Sequence, residues 1–205
     1  MKHTGFFLFA ALLAVIIGWL GWQIFTASSA HNALYDMPAS LSIGSPAADL
    51  KIVEFFEYDC RPCQDAQEAL HEAIRKDGNT LLFPRALGLD SAESIHAALL
   101  SYAAGTQGKF PQVHAALMRN YRVINEEVLN DMATTTGIDL EKLGKDMQDP
   151  AILALLEENS SLHQHLHLPQ IPVFLVGKNI VYSPPEGVTA KDFLDVFAAA
   201  RAEQE

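Results

Sequence analysis

The sequence predicts an α/β domain whose strands are divided by a long helical insertion, carried behind an N-terminal membrane segment. Three observations support this: an uncharged apolar run near the start, strand-like runs at both ends of the remaining chain, and roughly 75 residues of helical periodicity between them.

The apolar run is FFLFAALLAVIIGWLGWQIF, Phe6 to Phe25, which contains no charged residue. Twenty helical residues at about 1.5 Å each cross roughly 30 Å, the thickness of a bilayer's hydrocarbon core. Lys2 precedes the run and the next Lys or Arg is Lys51, so the positive-inside bias places the N-terminus in the cytoplasm and the rest outside. Ser28 to Ala30 also supply the small residues of a signal-peptidase site, so a cleaved signal peptide competes with an uncleaved anchor. Both readings export the domain to a compartment where disulfides persist. Thr26 to Leu50, rich in Ala, Ser, Pro and Gly without sustained periodicity, reads as a tether. Net charge is −11, with no basic tract or basic-aromatic alternation, which argues against a nucleic-acid partner.

The first strand is KIVEFFEY, Lys51 to Tyr58, β-branched and aromatic on both faces. The period then changes. Ala66, Ala69, Leu70, Ala73 and Ile74 form a helical stripe, Arg75 and Lys76 fall in its last turn, and Gly78 ends it. Thr80 to Leu87 reads as a second strand. The insertion opens on DSAE, Asp90 to Glu93, with capping-box spacing ahead of Ile95, Ala98, Leu99 and Tyr102. Further helices are marked by Val113, Ala116 and Leu117, by Val128, Leu129, Met132 and Ala133, and by Ile152 to Leu156 after Asp149-Pro150. Strand character returns with Ile171 to Val176, a GKN turn, and Ile180 to Tyr182; TAKD at Thr189 to Asp192 starts a last helix.

Only two cysteines are present, Cys60 and Cys63, in EFFEYDCRPCQDAQ at the first strand-helix junction. Four chemistries compete for such a pair. A closed zinc site needs about four ligands, and only the histidines at 163, 165 and 167 could complete one. A structural disulfide gains most by closing a long loop, and this one closes almost nothing. Inert burial fits poorly with Arg61 and Pro62 between the thiols. A redox couple fits the local physics: a helix N-terminus and the Arg61 charge favour a thiolate at Cys60, and Pro62 suits a first helical position and stiffens the loop. This predicts a reactive Cys60 with a lowered pKa and a sheltered Cys63 that resolves the mixed disulfide. Arg61 points to an oxidising pair, because stabilising the thiolate stabilises the reduced form.

Glu54 stands between Val53 and Phe55, six residues before Cys60. It reads either as a strand-edge carboxylate in water or as a buried acid with a raised pKa that exchanges a proton with Cys63. Glu57 and Asp59 read as solvated. His163 and His167 in HQHLH are four apart and on a helix would share a face able to bind zinc or copper, although a solvated helix end is the plainer reading. His71, His96 and His114 read as surface or packing residues.

The stretches GSPAADLKIVEFFEYDCRPC, GTQGKFPQVHAALM and LPQIPVFLVGKN resemble the DsbA-like thiol-disulfide oxidoreductases, from about Gly44 to the C-terminus. The resemblance implies a thioredoxin-like fold with a helical insertion at about 90–167 in a domain over 51–205, behind a linker at 26–50 and an anchor or signal segment at 1–25. It places the family's nucleophile on Cys60, its resolving thiol on Cys63, its buried acid on Glu54 and its substrate-facing cis-proline on Pro172. Arg61, Pro62 and Ile171 would then border the substrate. The dipeptide is Arg-Pro where many relatives have Pro-His or Pro-Tyr, and Ile171 stands where Thr or Val is common. No cofactor or metal is implied. The expected partners are cysteine-containing exported proteins and a membrane redox partner, at a bacterial inner membrane with the catalytic domain in the periplasm. The alternatives are a disulfide reductase or isomerase kept reduced by a membrane electron donor, and a copper-handling protein using the thiols and the histidine cluster.

Overall fold

The structure is a computed structural model that describes residues 16, 17, 19, 32–88, 91–120 and 125–204. Contacts divide the chain into two units, Met1–Asp36 and Met37–Glu205. The membrane segment expected over Phe6 to Phe25 lies outside the described residues apart from Ile16, Ile17 and Trp19, which are helical and exposed. Among the described residues no helix is long and apolar enough to cross a membrane.

The second unit is built on a five-stranded sheet. In chain order come β1 (Ile43–Gly44), β2 (Leu50–Phe56), α1 (Arg61–Asp77), β3 (Thr80–Ala86), α2 (Ala92–Gly105), α3 (Phe110–Asn120), α4 (Glu126–Thr136), α5 (Leu140–Asp146), α6 (Pro150–His165), β4 (Val173–Val176), β5 (Ile180–Tyr182) and α7 (Ala190–Ala202). The sheet order is β1-β3-β2-β4-β5, with β2 and β3 parallel and the other pairs antiparallel. All of β2 except Lys51 is buried because it is central and covered on both faces, as apolar residues at both odd and even positions required.

Leu50 and Ile52 join Leu70, Ala73 and Ile74 of α1 and Phe193 and Phe197 of α7 in one cluster. Phe55, one step out of phase with them, meets the His163 ring of α6 edge-on at 5.5 Å. Each fully buried Phe contributes about 2–3 kcal/mol of transfer free energy. A second cluster gathers Phe56, Tyr58 and Cys63 with Phe110, Val113 and Leu117 of the insertion, so the cysteine junction is also where insertion and sheet share a core.

Part of the stretch read as a tether belongs to the fold. Ile43 and Gly44 pair with Leu82 and Leu81, and Leu41 is buried. At Gly44 (φ +116°) a Cβ would collide with the Thr80 carbonyl oxygen, which is why glycine stands there. A two-residue strand carries too little periodicity to be read from sequence. Helix signals fared better. Gly78 caps α1 in the left-handed conformation, Asp149 caps α6 ahead of Pro150, and Thr189 and Asp192 form a capping box on α7. Helix α2 is capped by Ser91, whose Oγ accepts the Ser94 N–H at 3.0 Å; Asp90 lies outside the described residues.

The insertion is fastened to β3 by buried polar groups. Tyr102 Oη accepts the Ala86 N–H at 2.8 Å and donates to the Pro84 carbonyl at 3.2 Å, serving the strand where Pro84 has no N–H to offer. Asn159 of α6 donates to the Ala86 carbonyl at 2.9 Å and accepts from Arg85 Nη1 at 2.7 Å. At the far end Arg201 forms a two-pronged pair with Asp77 at 2.7 and 2.9 Å and reaches Asp49 at 2.9 Å, tying α7 to α1.

Candidate active site

β2 ends at Phe56, and the chain passes through Tyr58 and Asp59 to Cys60, the N-cap of α1. Cys60 and Cys63 are joined in a disulfide with their Cα atoms 5.2 Å apart. Cys60 Sγ accepts the Cys63 backbone N–H at 3.2 Å, so a sulfur occupies the place a capping oxygen would take. Cys60 is half-buried and Cys63 is fully buried, while Arg61 and Pro62 are exposed. One end of the disulfide therefore reaches the surface and the other faces the core.

The charge expected to favour a thiolate has a carboxylate beside it. Arg61 bonds Asp65 at 2.8 Å across one helical turn, at a well-exposed position. What remains beside Cys60 is the positive end of the α1 dipole, with the Cys63 N–H directed at its sulfur.

Glu54 is 0 % exposed, which settles its reading in favour of a buried acid. Burial pushes its carboxyl up to about 8, opposed by a hydrogen bond from Gln67. Gln67 Nε2 donates to Glu54 Oε1 at 2.6 Å. Gln67 lies one turn beyond Cys63, so α1 presents the buried thiol and the partner of the buried acid on the same face.

Pro172 is buried and follows a cis Ile171-Pro172 bond. Val173, the first residue of β4, pairs with Phe55, so Pro172 lies at the end of the sheet from which β2 leads to Cys60. Ile171 and Cys60 both pack against the second core cluster. The structure thus brings Cys60, Cys63, Pro172 and Ile171 to one end of the sheet, with Glu54 behind them.

Three expectations need correction. Glu57, read as solvated, is 1 % exposed: β2 stops at Phe56, so strand alternation no longer decides where residue 57 points. Asp59 is half-buried. His163 and His167 do not share a helix face, because α6 ends at His165 and His167 has φ +49°. His163 bonds the Pro169 carbonyl at 3.1 Å and His165 the Ser161 carbonyl at 2.7 Å. Among the described residues no three His, Cys, Asp or Glu side chains are grouped to hold a metal.

Sequence reasoning missed Gln67, Tyr58 and His114. Tyr58 Oη and His114 Nδ1 are 2.9 Å apart, both fully buried, with Phe110 stacked on the imidazole. Burial lowers the His114 pKa to about 3 and raises that of Tyr58 well above the usual phenol. Gln67 was detectable: it lies four residues from Cys63 and three from Leu70, on the buried side of the predicted stripe.

A family model described as thioredoxin matches residues 36–195. A crystal structure of a thioredoxin-like oxidoreductase from Silicibacter pomeroyi superposes with a TM-score of 0.72 at 30% identity, covering 85% of this chain and 98% of that one. The thiol:disulfide interchange protein DsbA of Burkholderia cepacia is 20% identical over 146 residues, 68% of each chain. Na(+)/H(+) antiporter NhaA 1 of a Mycobacterium species is 28% identical over 138 residues, 65% of this chain; the match spans only 22% of the antiporter's length.

Proposed function

As the chain belongs to the thioredoxin family, we propose that it is an extracytoplasmic thiol-disulfide oxidoreductase of DsbA type that forms disulfides in cysteine-containing exported proteins. The observation that carries this reading is the partly exposed Cys60, its sulfur bonded to that of buried Cys63 and accepting an N–H at the start of α1. A client thiolate attacks Cys60 Sγ, and the Cys60–Cys63 bond breaks. Cys63 leaves as a thiolate in a fully buried site and takes the proton of neutral Glu54. A second client thiolate then attacks the client sulfur, and Cys60 leaves as a thiolate held by the helix terminus. The client loses two electrons and the cysteine pair gains them; a quinone-linked membrane partner is the expected reoxidant. Pro172 and Ile171 present backbone to the client peptide, with Arg61 and Pro62 along its other side. Segment 1–25 holds the domain at the outer face of a bacterial inner membrane.

Cys63→Ser is the direct test. It should accumulate mixed disulfides between Cys60 and exported proteins, and a variant that traps none would overturn the reading. One observation favours the opposite direction of electron flow: Asp65 offsets the Arg61 charge that would make the pair strongly oxidising. Equilibration with glutathione separates the two, since a potential near that of thioredoxin, about −270 mV, assigns a reductase or isomerase.

A further inference from the structure

Glu57, Tyr58 and Asp59 carry the chain from the end of β2 at Phe56 to Cys60, the cap of α1. A strand-to-helix junction leaves backbone groups without ladder partners, and side chains take up both of those on Tyr58. Ser94 Oγ, in the first turn of α2, accepts the Tyr58 N–H at 3.1 Å, and Gln64 Nε2 of α1 donates to the Tyr58 carbonyl at 2.7 Å. The Tyr58 hydroxyl stands 2.9 Å from His114 Nδ1 of α3. One residue, two positions before the nucleophile, is therefore held from α1 and from two helices of the insertion.

The polar pair is an unexpected choice for a core. Tyr58, Ser94 and His114 are each 0 % exposed, and Phe56 and Phe110 close on the imidazole at 5.2 and 5.3 Å between centroids. A phenylalanine facing a leucine would fill that space with no polar group to satisfy, and replacing both partners of a buried bond by apolar groups is often nearly neutral. What a buried hydrogen bond adds is direction, since it is satisfied in few arrangements where apolar packing tolerates many. It fixes where Tyr58 stands, and with it the peptide that leads into Cys60.

Cys60 depends on that peptide. It caps α1 from the extended region, at φ −125° and ψ 103°, and its sulfur accepts the Cys63 N–H at 3.2 Å. A capping contact requires non-helical dihedrals at the cap residue, and the peptide before it sets one of them. We propose that Tyr58 is a positioning residue for the nucleophile: held by Ser94 and His114 of the insertion and by Gln64, it keeps the Cys60 sulfur against the Cys63 N–H and so stabilises the Cys60 thiolate of the reduced pair. The proposal rests on the reading of Cys60 as the attacked sulfur and gives the insertion a part in tuning it. Loosening Tyr58 costs the reduced form more than the disulfide, because a hydrogen bond to a thiolate is stronger than one to a neutral sulfur. The thiolate becomes scarcer and the disulfide a weaker oxidant.

The experiment measures two quantities on the full chain: the rate at which iodoacetamide alkylates reduced Cys60 at about pH 5, and the equilibrium of the cysteine pair with glutathione. Tyr58→Phe keeps the ring and removes the hydroxyl. Alkylation should slow about two- to threefold, and the glutathione equilibrium should move by a similar factor toward the disulfide. The double variant Tyr58→Phe/His114→Leu separates positioning from stability. With no polar atom stranded, its urea midpoint should return most of the way to that of the parent, while alkylation and the glutathione equilibrium stay displaced. Ser94→Ala cuts the backbone tie and should shift both readouts in the same direction, which keeps the test available if Tyr58→Phe does not fold. Arg201→Ala loosens the far end of α1, away from the junction, and should leave both readouts at parent values. Parent values in every folded Tyr58 and Ser94 variant, or an equal displacement in Arg201→Ala, would overturn the proposal. Neither readout involves a client protein, so a failure of Cys63→Ser to trap mixed disulfides is a separate result.

Discussion

Gln67 Nε2 stands 2.6 Å from Glu54 Oε1, and this bond joins the helix that carries the cysteines to the central strand beneath them. It also leaves the second oxygen of the acid without a protein partner, in a position 0 % exposed. A carboxyl so placed keeps its proton at neutral pH, and that fact has a consequence for folding.

The folded-state pKa of Glu54, about 8, lies above that of an ordinary glutamate, so the folded chain holds a proton that the unfolded chain releases. The stability contributed by that proton is full below about pH 4.5 and is lost as pH rises toward 8. Glu54→Gln removes this dependence and keeps a polar side chain for Gln67. We expect the variant to be more stable than the parent by about 2–3 kcal/mol at pH 7, with the difference closing below pH 5, as read from urea midpoints of the oxidised proteins.

His114 acts with the opposite sign. Its folded pKa, about 3, lies below the ordinary value, so its contribution is full above about pH 6.5 and is lost as pH falls toward 3. Between about pH 4.5 and 6.5 the two groups oppose each other, and the parent should show a flat stability profile there. His114→Gln should tilt it, with stability rising as pH falls through that window. The constant packing cost of losing the ring shifts the whole curve and leaves the slope to report titration.

These two groups show how much the sequence carried. The strand-helix-strand order, the long insertion and the caps at Asp149 and Thr189 were legible because periodicity and capping are local. Cys60, Cys63 and Glu54 were legible because they lie within one strand and one turn of helix. His114 was read only as a surface or packing residue, since its importance depends on a contact with Tyr58 across 56 residues that local pattern does not encode. Glu57 was misread because it follows the end of β2, and whether a carboxylate there is covered depends on distant residues that local pattern does not encode. Pro172 needed the resemblance, because sequence alone gives no reason to expect a cis bond.

The Arg61–Asp65 pair bears on redox poise. At exposures of 81% and 50% the pair is weak in stability terms, but it puts a carboxylate against the charge that adjoins Cys60 in sequence. Asp65→Ala should make the cysteine pair more oxidising, shifting the glutathione equilibrium about two- to threefold, while Arg61→Ala should move it the other way by less than Asp65→Ala does. Equal shifts in the same direction would place the control of poise elsewhere.

Asn159 determines whether the insertion holds its place over the sheet. Its amide donates to the Ala86 carbonyl and to Tyr102 Oη and accepts from Arg85, all in buried surroundings where lost partners are not replaced by solvent. Asn159→Ala should therefore cost about 2–4 kcal/mol, well beyond the loss of one surface hydrogen bond. Tyr102→Phe removes only the hydroxyl at the hub and should cost less, about 1–2 kcal/mol. The double variant should lose less than the sum, because Asn159 and Tyr102 bond each other at 2.8 Å and serve the same strand residue. Additive losses in a denaturant titration would mean that the two side chains act independently and that the bond between them contributes nothing.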